Sequence, residues 1–148
     1  MLKEKKSWAQ ITRKQWEGEI PTPDNSSYVI YNFYRLHDLP LNKYTIEDVY
    51  FMLNQNELPD ILIPFVLDYL DKKDIYIEAK YYEGDLFNSI LTGKCDFWES
   101  DKAQKHIPKL KKLIQAYENY DYTNKNIYSV SRKTLEKSIH QIKDCLKL

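Results

Sequence analysis

The stretch Leu58-Pro-Asp-Ile-Leu-Ile-Pro-Phe-Val-Leu-Asp-Tyr-Leu70 decides the fold class. Ile61, Leu62, Phe65, Val66, Tyr69 and Leu70 make a double stripe at helical spacing. A helix with so wide an apolar face must bury it against other elements. Pro59 suits the first turn, where its missing N–H leaves no hydrogen bond unmade. Pro64 lies inside the stripe and predicts a kink or a late start.

Helical signals continue on both sides. Thr45 is a good N-cap with Asp48 in the capping-box position, and Ile46, Val49, Tyr50 and Leu53 follow on one face. Asn54 to Glu57 breaks that helix. Further upstream, Asn25, Ser26 or Ser27 can cap a helix through about Leu36, with Val29, Phe33 and Leu36 on one side; it ends before Pro40. Residues 1–24 read as an N-terminal segment anchored by Trp8, Ile11 and Trp16, closed by the linker Glu19-Ile-Pro-Thr-Pro-Asp24. Residues 25–148 read as one helical domain. Downstream, residues 74–82 alternate apolar and polar, which predicts a loop with some extended character. A short helix at Leu86 to Leu91 stops at Gly93. Another runs from about Lys102 to Tyr120 with Ile107, Leu110, Leu113, Ile114 and Tyr117 buried, and Ser129 or Ser131 caps the last one, striped by Leu135, Ile139, Ile142 and Leu146. The expectation is an all-α, compact single-domain bundle of six or seven short helices.

Composition narrows the class. Only 3 of 148 residues are Gly, against an average usage that would give about 10. That argues against Gly-rich phosphate loops and a turn-dense β-sandwich. The longest unbroken run of apolar residues and Pro, Ile61 to Leu67, is far short of the ~20 residues of a membrane helix. The first 20 residues hold no apolar signal core. Cys95 and Cys145 are isolated and read as reduced thiols.

No catalytic pattern is present. His37, His106 and His140 lie on different elements, none with a second His or Cys at ligand spacing. There is no CxxC, GxSxG, HExxH or GxxxxGK. The expectation is no enzyme, no cofactor and no metal. Charge, by contrast, is strongly segregated. Residues 1–44 carry a net +2, residues 45–101 a net −9 and residues 102–148 a net +7. Such blocks either steer a partner of opposite sign or neutralise one another across the fold.

A set of residues in the middle of the chain carries a resemblance. It comprises Arg35, Leu39-Pro40-Leu41, Tyr44-Thr45-Ile46-Glu47-Asp48, Asn54-Gln55, Leu58-Pro59, Ile63-Pro64, Leu67 and Leu70. Tyr81-Tyr82-Glu83-Gly84-Asp85-Leu86, Leu91 and Phe97-Trp98 complete it. Over roughly residues 28–115 the chain resembles the immunity proteins of bacterial contact-dependent growth inhibition systems. Glu57 stands where that pattern would put a Gly-containing turn. The resemblance implies a cytoplasmic protein that binds and neutralises the C-terminal domain of a cognate toxin, without involving nucleic acid or membrane. Toxins of such systems are often nucleases with basic grooves, so the net −9 segment has a natural use as a cover. Contacts are expected on the loops around 56–60 and 71–85, from Asp60, Asp71, Asp74, Glu78, Tyr81, Tyr82, Glu83 and Asp85. Two other readings stay open: a helical adaptor, and a nucleic-acid-binding module using the basic C-terminal third, where Lys105, Lys109 and Lys112 share a helix side.

Overall fold

Thr45 and Asp48 cap one another: the Asp48 N–H donates to Thr45 Oγ1 at 3.2 Å and the Thr45 N–H to Asp48 Oδ2 at 2.9 Å. The helix they start is the one the spacing predicts, and the remaining elements follow the same local rules. The computed structural model describes residues 1–73, 84–119 and 129–148. Among these residues are eight α-helices and two 3-10 turns, with no strand. By internal packing the chain divides into Met1–Val49 and Tyr50–Leu148.

The first unit holds α1 (Trp8–Thr12), α2 (Tyr28–His37), a 3-10 turn (Leu41–Lys43) and the first turn of α3 (Ile46–Asn54). A full capping box of Ser7 and Gln10 starts α1, and Ser27 caps α2 by accepting the Ile30 N–H at 3.2 Å. The chain before α1 lies antiparallel to the turn: the Leu41 N–H donates to the Lys6 carbonyl at 3.1 Å and that of Asn42 to the Glu4 carbonyl at 2.8 Å. Leu36, Leu41, Tyr44 and Val49 are fully buried. Trp8 lies against Phe33 and His37, and Trp16 against Tyr34 and His37, with ring centroids 5.2 to 5.8 Å apart. The N-terminal segment is therefore docked on α2 by its two tryptophans.

The second unit opens at the turn from α3 to α4 (Pro59–Lys73). No glycine serves it. Asn56 and Leu58 take left-handed conformations instead, at φ of 58° and 50°. Asn tolerates that region; for Leu it costs on the order of 1–3 kcal/mol. Pro59 occupies the first turn of α4 as expected, and the helix runs on through Pro64. Leu62, Ile63, Val66, Leu67 and Leu70 are completely buried, while Ile61, Phe65 and Tyr69 are half-buried. The predicted loop at 74–82 lies outside the described residues.

Then come α5 (Asp85–Ser89), α6 (Cys95–Trp98), a 3-10 turn (Asp101–His106), α7 (Ile107–Glu118) and α8 (Ser129–Leu146). The count of eight exceeds the expected six or seven because α6, about one turn long, stands as a helix of its own. The single helix expected from Lys102 is divided into the 3-10 turn and α7. Pro108, in the first turn of α7, supplies no N–H to the turn before it, so the chain enters as the tighter helix. Likewise α5 ends before Gly93, which closes the following turn at φ 66°. Trp98 is fully buried and donates its indole N–H to the Ile90 carbonyl at 2.8 Å. Both α5 and α6 pack on α8, and α4 packs on α5 and α7.

Candidate partner-binding surface

The acidic residues of α4 do not stand alone. Lys102 Nζ donates to Asp60 Oδ2 at 3.0 Å, Lys109 Nζ pairs with Asp68 Oδ1, and Lys112 Nζ donates to Asp71 Oδ1 at 2.8 Å. Each lysine follows its aspartate by 41 or 42 residues. A constant offset means that α4 and the 3-10 turn–α7 segment run side by side in the same direction. The three pairs form a ladder along their shared edge.

Each rung differs in exposure. The side chains of Asp60 and Asp68 are about half exposed, at 51% and 54%, whereas that of Asp71 is at 25%. The Lys112 hydrogen bond is the main reason the Asp71 carboxyl lies below its ordinary 3.8, reinforced by the charges of Lys112 and Lys109. Beside the ladder, burial foremost and then the Lys105 charge hold the His106 imidazole below its ordinary 6.5.

Of the residues expected to meet a partner, Asp60 and Asp71 are thus both on α4 and both paired. Asp85 is 1% exposed, which leaves it no surface to offer. It belongs to a helix whose five residues are all buried. Gly84, not an acidic neighbour, holds the N-cap position of that helix, and no side-chain cap bond is made there. Asp74, Glu78, Tyr81, Tyr82 and Glu83 lie outside the described residues. Asp68 was not anticipated. Its spacing from Asp71, three residues on one helix side, is the signal that could have found it. The basic face changes too. Of Lys105, Lys109 and Lys112, the last two are engaged by α4 carboxylates.

In each unit, residues of the sequence pattern form scaffold. Tyr44 donates its hydroxyl to the Leu36 carbonyl at 3.0 Å, and burial raises its phenol well above the ordinary 10. Arg35 pairs with Asp48 at 2.6 Å. Leu41, Leu86 and Trp98 are core. Gly84 has φ 81°, and a Cβ there would meet Leu135 Cδ2 at 2.7 Å.

The sequence profile of the CDI immunity proteins matches residues 10–107. The chain belongs to that family. The match takes in the Thr45–Asp48 cap, all of α4 and the Gly84-to-Trp98 segment, the same residues whose structural roles are described above. An immunity protein of this kind neutralises a toxin, and its partner is the cognate toxin protein. Comparison with curated proteins returned no match. No described helix is long and apolar enough to cross a membrane.

Proposed function

We propose that this immunity protein, acting in the cytoplasm of the bacterium that makes the toxin, neutralises a nuclease by laying an acidic surface over its basic substrate groove. The residues we assign to it are Asp60, Asp68 and Asp71 on the exposed edge of α4 and, from the sequence alone, Asp74, Glu78, Tyr81, Tyr82 and Glu83. The protein has no catalysis of its own and needs no cofactor for this task.

The observation that carries this reading is the ladder. Three carboxylates are held at fixed spacing on a helix, each with one oxygen hydrogen-bonded to a lysine. Exposed ion pairs of this kind are worth about 0–1 kcal/mol. A toxin Arg or Lys can therefore share or replace the internal lysine at small cost. The carboxylates are pre-positioned, so little side-chain entropy is lost on binding. The charge complementarity would also speed encounter and disfavour toxins whose charges are placed differently.

The test is charge reversal. Asp74→Lys with Glu78→Lys, and separately Asp60→Lys with Asp68→Lys, are measured for toxin affinity by calorimetry and for rescue of toxin-expressing cells. Both should lose affinity and protection while remaining folded by circular dichroism. Lys105→Glu with Lys111→Glu is the matched control on the basic side, and should leave both readouts unchanged. If the control abolishes protection and the acidic variants do not, the interface lies on the C-terminal third and the reading fails.

A further inference from the structure

Two cysteines that stand 50 residues apart in the chain meet in the second unit. Cys95 opens α6, and Glu99 follows one turn later, its N–H donating to the Cys95 carbonyl at 2.8 Å. Cys145 lies near the end of α8, which packs on α6. The Cys95 and Cys145 sulfurs and a Glu99 carboxylate oxygen all lie within 4.8 Å of one another. Both cysteines are free thiols and half-buried, and Glu99 is exposed. The two cysteines border an open groove whose other walls include Asp96, Gln141 and Asp144.

We propose that Cys95, Glu99 and Cys145 form a binding site for one divalent cation of the zinc class. The donor set selects the metal. Two sulfurs favour a borderline or soft cation over magnesium or calcium, which take oxygen ligands. In a tetrahedral zinc site, bonds of about 2.3 Å to sulfur and about 2.0–2.2 Å to oxygen put ligand atoms about 3.5–3.8 Å apart. Closing from 4.8 Å or less to that spacing takes at most about 1.3 Å, within the reach of side-chain rotation. The ligands come from one helical turn and one long helix, so two are fixed relative to each other by a helical turn. On binding, each thiol gives its proton to solvent as its sulfur takes up the cation. The groove leaves the fourth position to water or to the Gln141 amide oxygen. The bound ion fastens the end of α8 to α6. Cys145 lies beyond the residues matched by the family profile, so the site is a property of this chain's C-terminal helix.

The sequence reading expected no metal, since none of the three histidines has a second His or Cys at ligand spacing. The third ligand is supplied by tertiary structure alone.

The experiment uses the full chain, reduced with a non-thiol reductant and titrated with Co²⁺ and then Zn²⁺. One Co²⁺ per chain should bind with a near-ultraviolet thiolate-to-cobalt charge-transfer band and the intense visible bands of a tetrahedral ion, and Zn²⁺ should displace it. Cys145→Ser and Cys95→Ser should each lower affinity by more than about 100-fold, beyond what loss of an outer-shell partner does. Glu99→Gln should keep the sulfur band and bind more weakly. Zn²⁺ should raise the Tm of the wild-type chain but not of Cys145→Ser, whose circular dichroism reports that it is folded. The absence of a sulfur band in the wild type overturns the site, as does equal affinity in Cys145→Ser. So does a protein that forms a Cys95–Cys145 disulfide on oxidation yet takes up no cation when reduced.

Discussion

Arg35 Nη2 donates to Asp48 Oδ1 at 2.6 Å, while the other oxygen of the same carboxylate accepts the Thr45 N–H at 2.9 Å. Arg35 is itself held by Asn32, whose side-chain oxygen accepts from Nε at 3.2 Å and Nη2 at 3.1 Å. One nearly buried carboxylate therefore ends the connection after α2 and begins α3. Arg35, Thr45 and Asp48, which carry part of the resemblance, thus serve one local junction.

Asp48→Ala removes the cap, leaves the Thr45 N–H without its acceptor and leaves the Arg35 guanidinium with Asn32 alone. The expected loss is about 2–3 kcal/mol, a cap term plus a charge-assisted hydrogen bond. Arg35→Ala should cost less, because its side chain is 41% exposed. Urea denaturation of the two variants checks the order.

Gly84→Ala meets two obstacles at once. The φ of 81° is unfavourable for a side chain, and the new methyl would lie 2.7 Å from Leu135 Cδ2. A destabilisation of about 2–3 kcal/mol is expected. In the Leu135→Ala background the contact part disappears and only the backbone part remains. A double-mutant cycle by denaturation should therefore show coupling of about 1 kcal/mol or more.

The Lys112–Asp71 rung has a pH signature. The folded Asp71 carboxyl titrates below its unfolded value of 3.8, so the unfolded chain binds more protons in that window. The rung's stabilisation is present above 3.8 and is lost as pH falls through the lowered folded value. Lys112→Ala should move the carboxyl titration back up toward 3.8, as followed by carboxyl carbon NMR. Stability at neutral pH should change little, because the pair is exposed.

Lys94 carries the opposite kind of shift. It is 5% exposed, its Nζ donates to the Leu53 carbonyl at 2.9 Å and the Thr92 carbonyl at 3.2 Å, and burial lowers its ammonium below the ordinary 10.5. The unfolded chain thus binds more protons between the folded value and 10.5, and this residue's contribution to stability rises with pH across that window. Lys94→Met leaves both carbonyls without the ammonium and should cost about 1–3 kcal/mol at neutral pH. The difference from wild type should widen as pH rises through the same window, measured by denaturation midpoints.

Local features were legible in the sequence because their causes are local. Ser27, the Thr45–Asp48 cap, Pro59 and the double stripe of α4 each depend on residues within a turn or two. The relations that matter for the surface are not local. Asp60 and Asp71 were visible as acids and Lys109 and Lys112 as a basic face. Their pairing depends on α4 and α7 running parallel with a 41-residue offset, which no periodicity encodes. Asp85 looked available because it is charged and follows a glycine. It is buried because the whole of α5 is enclosed, leaving no solvent side. Glu99 and Cys145 are brought together only by the packing of α6 on α8.

The parallel course of α4 and α7 also bears on the order in which the chain folds. Two helices joined as a hairpin can pair as soon as both have formed. Here Lys102, in the 3-10 turn before α7, must come back beside Asp60 at the start of α4, 42 residues away in the chain. Closing a loop of that size costs conformational entropy before any lysine reaches its aspartate. The ladder is accordingly a late contact. Substitutions in it should leave the refolding rate nearly unchanged, the small loss of stability appearing in the unfolding rate, whereas substitutions in the capped start of α3 fall in a segment able to organise early.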